Sequence, residues 1–194
     1  VSINGRTDTL TKIELSGSSL IGASTLSYLN ITGGGNSSEE TAAIEGGVVS
    51  HSIIADSLAA VGGEVRIDNS VIRNNFRVSS FYSNLLIEDS MIDGNDHLGN
   101  LSFTTILTST LANNGIFSSP GGDIRLIDSQ MTQSGGISAT SVVIENSNLK
   151  FVGAIRGDEG LGNGASIQIS NSRITHSGGI DNSGSTGLTS IVDS

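Results

Sequence analysis

The chain has no cysteine and no tryptophan, one proline, and nine lysines and arginines among 194 residues. Without cysteine there is no disulfide framework and no thiolate metal site. Nineteen acidic residues against nine basic give a formal net charge of −10. That field repels nucleic acid and anionic membranes, and no lysine or arginine cluster offsets it locally. No apolar run approaches the roughly 18 residues that would span a bilayer, so neither nucleic-acid binding nor membrane insertion is expected. Aromatics are also scarce: Tyr28, Tyr82 and five phenylalanines.

Glycine is abundant at 26 residues, alongside many serines and asparagines. Leu, Ile and Val recur at strand intervals, more often than a disordered chain would carry them. The sequence opens on Val1 with no initiator methionine, basic leader or signal peptide. It reads as a processed or excised piece of something longer. Its composition suits a secreted or surface-displayed bacterial or phage protein.

The stretch "SVVIENSNLKF" (141–151) exposes an internal repeat. Anchored on Ser147, equivalent serines are Ser18, Ser70, Ser90, Ser109, Ser129, Ser172 and Ser194, with steps from Ser70 of 20, 19, 20, 18, 25 and 22 residues. Three positions before them stand Leu15, Ile67, Ile87, Ile106, Leu126, Ile144, Ile169 and Ile191. Five positions before are Ile13, Val65, Leu85, Thr104, Ile124, Val142, Ile167 and Thr189, and two after are Leu20, Ile72, Ile92, Leu111, Met131, Leu149 and Ile174. The first two files alternate as a strand with one buried face. After the serine the parity changes, so a tight bend lies between. The residue before the serine is Gly17, Asn69, Asp89, Thr108, Asp128, Asn146, Asn171 or Asp193. All but one are types that tolerate positive φ. Asn69, Asp89, Asp128, Asn146 and Asn171 are therefore structural corners. Ser70, Ser90, Ser109, Ser129, Ser147 and Ser172 form an inward file bonded to backbone or to one another.

Eight residues after the serine, Val78, Leu98, Phe117, Ile137, Ile155 and Ile180 mark a third strand, reached through a polar turn. No extended helical period is present. Units of about 20 residues with three short strands describe the coils of an all-β, single-stranded parallel β-helix, whose apolar faces are buried only by stacking. About nine or ten coils at roughly 4.8 Å each give a rod on the order of 45 Å long. Residues 1–194 make one solenoid domain, less regular over 24–63. Segment 31–47 looks like a loop leaving the rod, 50–63 fits the serine frame poorly, and 77–84 and 156–165 are further excursions. The two ends, around 1–20 and 187–194, lack covering helices. The chain is accordingly expected to be a fragment of a longer rod or a subunit that stacks end to end.

The "I-x-[N/D]-S-x-[I/L]" units and corner asparagines resemble the right-handed parallel β-helix superfamily typified by pectate lyases. That group spans polysaccharide lyases and hydrolases, phage tailspikes, and the rods of autotransporter and filamentous-haemagglutinin-type adhesins. The Gly-, Ser- and Asn-rich, lysine-poor repeats are most similar to the adhesin branch. The resemblance implies a right-handed coil and a non-enzymatic rod presenting loops to a host-cell or surface receptor, a glycan or further copies of itself. "NPNG"-type motifs of two-partner secretion domains are absent, as is a lyase signature.

Candidate chemistry is sparse. Asp68 and Glu88 share one slot on adjacent coils, near the 5–5.5 Å carboxyl separation of about one strand spacing that retaining glycosidases use. Asp93 and Asp96, with Asp89 and His97 nearby, would complete an acidic catalytic site in a polysaccharide enzyme. The plainer reading is solvated acids on an acidic rod. No repeat matches a calcium loop. His51, His97 and His176 lie far apart without metal-site spacing, and no G-x-S-x-G elbow occurs. No metal or cofactor is expected. Arg156, Gly157 and Asp158 spell an "RGD" in a glycine-rich loop, which resembles the integrin-binding motif of some adhesins. Asn30, Asn36 and Asn100 begin sequons. Phe81 and Tyr82 are the exposed aromatic spot expected, and Phe117 and Phe151 are assigned to the core. With so few rings, a carbohydrate-processing groove is disfavoured.

Overall fold

A computed structural model describes residues 2–5, 9–15, 20–21, 25–35, 42–78, 84–98, 103–157, 165–182 and 188–192. Among these residues there is no helix. Fourteen strands form one sheet and nine form a second, and neighbouring strands in both are parallel. The chain is a parallel β-solenoid with coils of roughly twenty residues.

One coil illustrates all. Asn84–Glu88 belongs to the larger sheet, Met91–Asp93 to the nine-stranded sheet, and His97–Leu98 returns to the larger one. Between the first two strands stands Asp89 at φ 45°, and between the second and third Gly94 at φ 64°. From Tyr28 to His176, each coil has two single-residue left-handed corners. The first-corner series is Tyr28, His51, Asn69, Asp89, Thr108, Asp128, Asn146 and Asn171, all at φ between 44° and 56°. The second is Gly33, Asp56, Asn74, Gly94, Asn113, Gln133, Phe151 and His176. The second corner replaces the polar turn expected from sequence.

The expected apolar files stack in register. Ile67, Ile87, Ile106, Leu126, Ile144 and Ile169 pair successively along the rod, and none is more than 1% exposed. Each such burial contributes about 1.5–3 kcal/mol over exposure. The file fades at the last described strand, Leu188–Val192, where Ile191 pairs with Ile169 yet is 51% exposed.

The serine file is as expected in place and in bonding. The amide of each corner serine donates to the hydroxyl of the serine one coil on: Ser52 to Ser70, Ser70 to Ser90, Ser90 to Ser109, Ser109 to Ser129 and Ser129 to Ser147, each at 3.1 Å, and Ser147 to Ser172 at 3.0 Å. Each hydroxyl in turn donates to the carbonyl two residues before it, as Ser70 does to Asp68 at 2.7 Å. The corner turns the amide away from the regular ladder, and the hydroxyl supplies the acceptor that a buried N–H requires.

Three sequence expectations fail. The slots expected for Ile13 and Leu20 in the first coil do not hold. Ile13 pairs with Ile31, which pairs with Ile54, so Ile13 belongs to the file after the corner. Leu20 pairs with Ile44 in the larger sheet. Ser18 and Gly17 themselves lie outside the described residues, as do Asp193 and Ser194. Second, 50–63 does fit the serine frame: Ser52 heads the ladder and His51, at φ 49°, is its corner. Histidine in a corner slot hid it. Third, Phe151 is a second-corner residue, 48% exposed, and not core. The end of segment 31–47 belongs to Ile44–Ser50, a strand of the larger sheet whose register shifts between Glu45 and Gly47.

The chain's one proline sits in an irregularity of Ile116–Ile127, where the register against Ile137–Glu145 shifts between Ser119 and Asp123. A residue lacking an N–H is tolerated where the ladder is interrupted.

Candidate functional site

Outward side chains of the larger sheet form two parallel files, one containing Val48, Arg66, Leu86 and Thr105, the other Glu64 and Asn84, each set by register. They bound an open groove of about 620 Å³ with Phe103 at its margin. Phe103 is 61% exposed and Val48 38%. Sequence reasoning missed this ring. The signal was its place two residues before the Thr105 position, an outward slot on a strand with alternating burial. The expected exposed pair, Phe81 and Tyr82, lies outside the described residues.

The acidic candidates are divided by the fold. Asp68 and Glu88 pair in register on adjacent strands of the larger sheet. Glu88 is engaged by Arg66, with the guanidinium 2.6 Å from its carboxylate. Asp93 is in the nine-stranded sheet, in register with Arg73 and Ala112, and accepts from Asn113 Nδ2 at 2.9 Å. Asp96 lies past the second corner, exposed, its amide donating to the Asn75 carbonyl at 3.1 Å. Asp68 and Glu88 are therefore neighbours, while Asp93 and Asp96 stand on other faces. Among the described residues no group of three His, Cys, Asp or Glu side chains is placed to hold a metal ion.

A second shallow depression, about 520 Å³, follows the first corner between Asn69, Asp89 and Thr108. There Thr108 Oγ1 donates to Asp89 Oδ1 at 2.6 Å, a bond from corner to corner. Elsewhere on the surface Lys12 is hydrogen-bonded to Glu14. That bond, and then the nearby ammonium charge, hold the Glu14 carboxyl below its ordinary range.

Two residues of the "RGD" tripeptide lie in a strand. Arg156 and Gly157 end the strand Ile155–Gly157, with Arg156 in register between Ser138 and Asp181. Gly157 is buried, and a Cβ there would come 2.2 Å from the Asn182 side chain. Asp158 lies outside the described residues. Of the sequons, Asn30 sits in the strand Leu29–Thr32, and Asn36 and Asn100 lie outside the described residues.

Each histidine meets an aromatic ring of the preceding coil. Tyr28 stacks on His51 with centroids 5.0 Å apart, Phe76 meets His97 edge-on at 5.7 Å, and Phe151 lies against His176 at 4.8 Å. No protein-family model matches this chain, and neither a curated protein nor a solved structure matches it.

Proposed function

We propose that this chain is a structural and adhesive solenoid segment of a secreted or surface-displayed bacterial protein, within the right-handed parallel β-helix group and nearest its adhesin rods. The observation that carries this reading is the serine ladder. It runs unbroken from Ser52 to Ser172, so one internal solution is kept while the outside varies. Such a chain serves as a stiff scaffold. Nine stacked strands span about 38 Å at roughly 4.8 Å per step.

The chain order supports display along one edge. Segments 22–24, 79–83, 99–102, 158–164 and 183–187 each join a third strand to the first strand of the next coil. The partners proposed are a host-cell or surface receptor, a glycan, or further copies joined end to end. The test is attachment of cells and of glycan-coated beads to the immobilised chain, with reducing-end release from the same polysaccharides measured in parallel. Attachment without depolymerisation is expected. Sugar release that disappears in Glu88→Gln would overturn the reading.

A second reading, a polysaccharide-binding or polysaccharide-degrading β-helix, is favoured by one observation. Phe103 offers an exposed ring beside Glu64 and the Arg66–Glu88 pair in a single groove.

A further inference from the structure

Away from that groove, near the last described coils, the nine-stranded sheet carries a smaller and more enclosed pocket of about 300 Å³, lined by Asn148, Lys150, Arg173, Thr175 and His176. Register places Asn148 beside Arg173 and Lys150 beside Thr175 on adjacent strands. Four outward side chains thus make a small rectangle, about 4.8 Å between strands and roughly 6.6 Å along them. His176, at the second corner, closes one side.

The pocket is unusual for this molecule. The chain has nine lysines and arginines in all and only two lysines, yet two of the nine converge here and no lining residue is acidic. Among the described residues neither Lys150 nor Arg173 takes part in an ion pair, whereas Lys12 and Arg66 each do. In a chain of net charge −10, two cations share this pocket with no carboxylate in its lining.

The wall carries a second, independent sign. Phe151 and His176 hold φ of 54° and 55° at a corner where upstream coils place Asp56, Asn74, Gly94, Asn113 and Gln133. Phenylalanine is an outlier at such φ, whereas histidine is among the types enriched there, and local strain of this kind gathers at ligand sites. Here it brings two rings together, centroids 4.8 Å apart and planes tilted by 33°, with the Lys150 ammonium 5.1 Å from the centre of the Phe151 ring. Phe151 itself is 48% exposed, beside the pocket.

We propose that Asn148, Lys150, Arg173, Thr175 and His176 form a binding site for a tetrahedral oxyanion, a sulfate or phosphate group, with Phe151 available to the organic part of an ester. A guanidinium and an ammonium supply charge-assisted hydrogen bonds. The amide, hydroxyl and imidazole supply the uncharged partners that complete the set. An anion here also relieves the repulsion between Lys150 and Arg173. The site goes beyond the adhesive reading and stands with either function proposed above.

The test titrates the intact chain at constant ionic strength with sodium sulfate, sodium phosphate, sodium acetate, a sulfated monosaccharide and glycerol phosphate. Calorimetry reads affinity, and backbone amide shifts locate the site. Saturable sulfate or phosphate binding is expected, at least tenfold tighter than acetate, moving the amides of 148–151 and 173–176. Lys150→Gln and Arg173→Gln each lower it at least tenfold, while Arg125→Gln, an exposed arginine of the larger sheet, does not. Tighter binding of the esters identifies a carried group, and equal binding a free ion; both support the site. Absence of saturation, acetate binding as tightly as sulfate, or undiminished binding in a folded Lys150→Gln/Arg173→Gln double variant overturns it.

Discussion

The backbone amide and the side-chain amide of Asn75 both donate to Oδ1 of Asn95, one coil further along, at 3.0 and 2.9 Å. Asn95 repeats both bonds onto Asn114 at 3.1 and 3.0 Å. Serines flank the ladder at its two ends: the Ser57 backbone amide donates to Asn75 Oδ1, and the Asn114 backbone amide donates to the Ser134 hydroxyl. Each asparagine Nδ2 also reaches a strand carbonyl of the coil before, Ile54, Ile72 and Ile92 in turn. At the second corner asparagine thus does for three coils what serine does at the first corner for seven.

Asn95→Leu is expected to destabilise the chain by about 3 kcal/mol or more. It strips an acceptor from two buried donors of Asn75, and each buried unsatisfied group costs roughly 1–3 kcal/mol. Asn95→Ser, which imitates the two ladder ends, should cost about half as much. Urea denaturation of the three proteins measures this; equal midpoints for Leu and Ser would show that the ladder contributes nothing specific.

Asn146 holds φ 48° at the first corner. Asn146→Gly should be nearly neutral, since glycine enters this region freely. Asn146→Val should lose about 1–2 kcal/mol, the cost of the left-handed region for a residue with Cβ, and more for β-branching. Thermal melts decide between them. Val and Gly variants of equal stability would contradict a corner set by backbone conformation.

The first corner was legible in sequence because its two signals coincide, a polar residue suited to positive φ and a serine behind it. The same pairing made His51 and Ser52 hard to see, since histidine was not sought there. The second corner was missed although Asn75, Asn95 and Asn114 stand five residues after Ser70, Ser90 and Ser109. Its left-handed residues include Gln133, Phe151 and His176, so no single residue type marks it. The groove ring Phe103 and the pocket at Lys150 and Arg173 depend on which coils are neighbours. Lys150 and Arg173, 23 residues apart, and Val48 and Phe103, 55 apart, become close only when stacking is known in register, and variable loop lengths blur that register. Asp68 and Glu88 were placed correctly because a regular step of 20 separates them.

Gly115 has a different constraint from the corner glycines. A Cβ built there would lie 1.7 Å from the carbonyl oxygen of Asp96 on the preceding coil. The obstacle is backbone, so no rotamer change relieves it. Gly115→Ala should therefore cost about 1–3 kcal/mol or more, as overpacking does, by prising two coils apart. Wild-type stability for this variant in urea would mean that the coils slide past one another easily.

The groove variants separate the two functional readings. If the rod attaches through segments along its edge, Phe103→Ala and Glu88→Gln leave surface attachment unchanged, and this is the expected result. Both side chains are partly or largely exposed, so neither substitution threatens the fold. If a saccharide lies in the groove, Phe103→Ala removes its ring platform and Glu88→Gln releases Arg66 from its partner. Glycan affinity then falls in both variants, measured by calorimetry against the same glycans used for attachment. A drop with Phe103→Ala alone indicates binding through the ring without carboxylate chemistry. Loss of sugar release with Glu88→Gln, while binding persists, assigns that carboxylate to catalysis. The edge reading survives only if attachment, affinity and release all stay at the level of the unmodified chain.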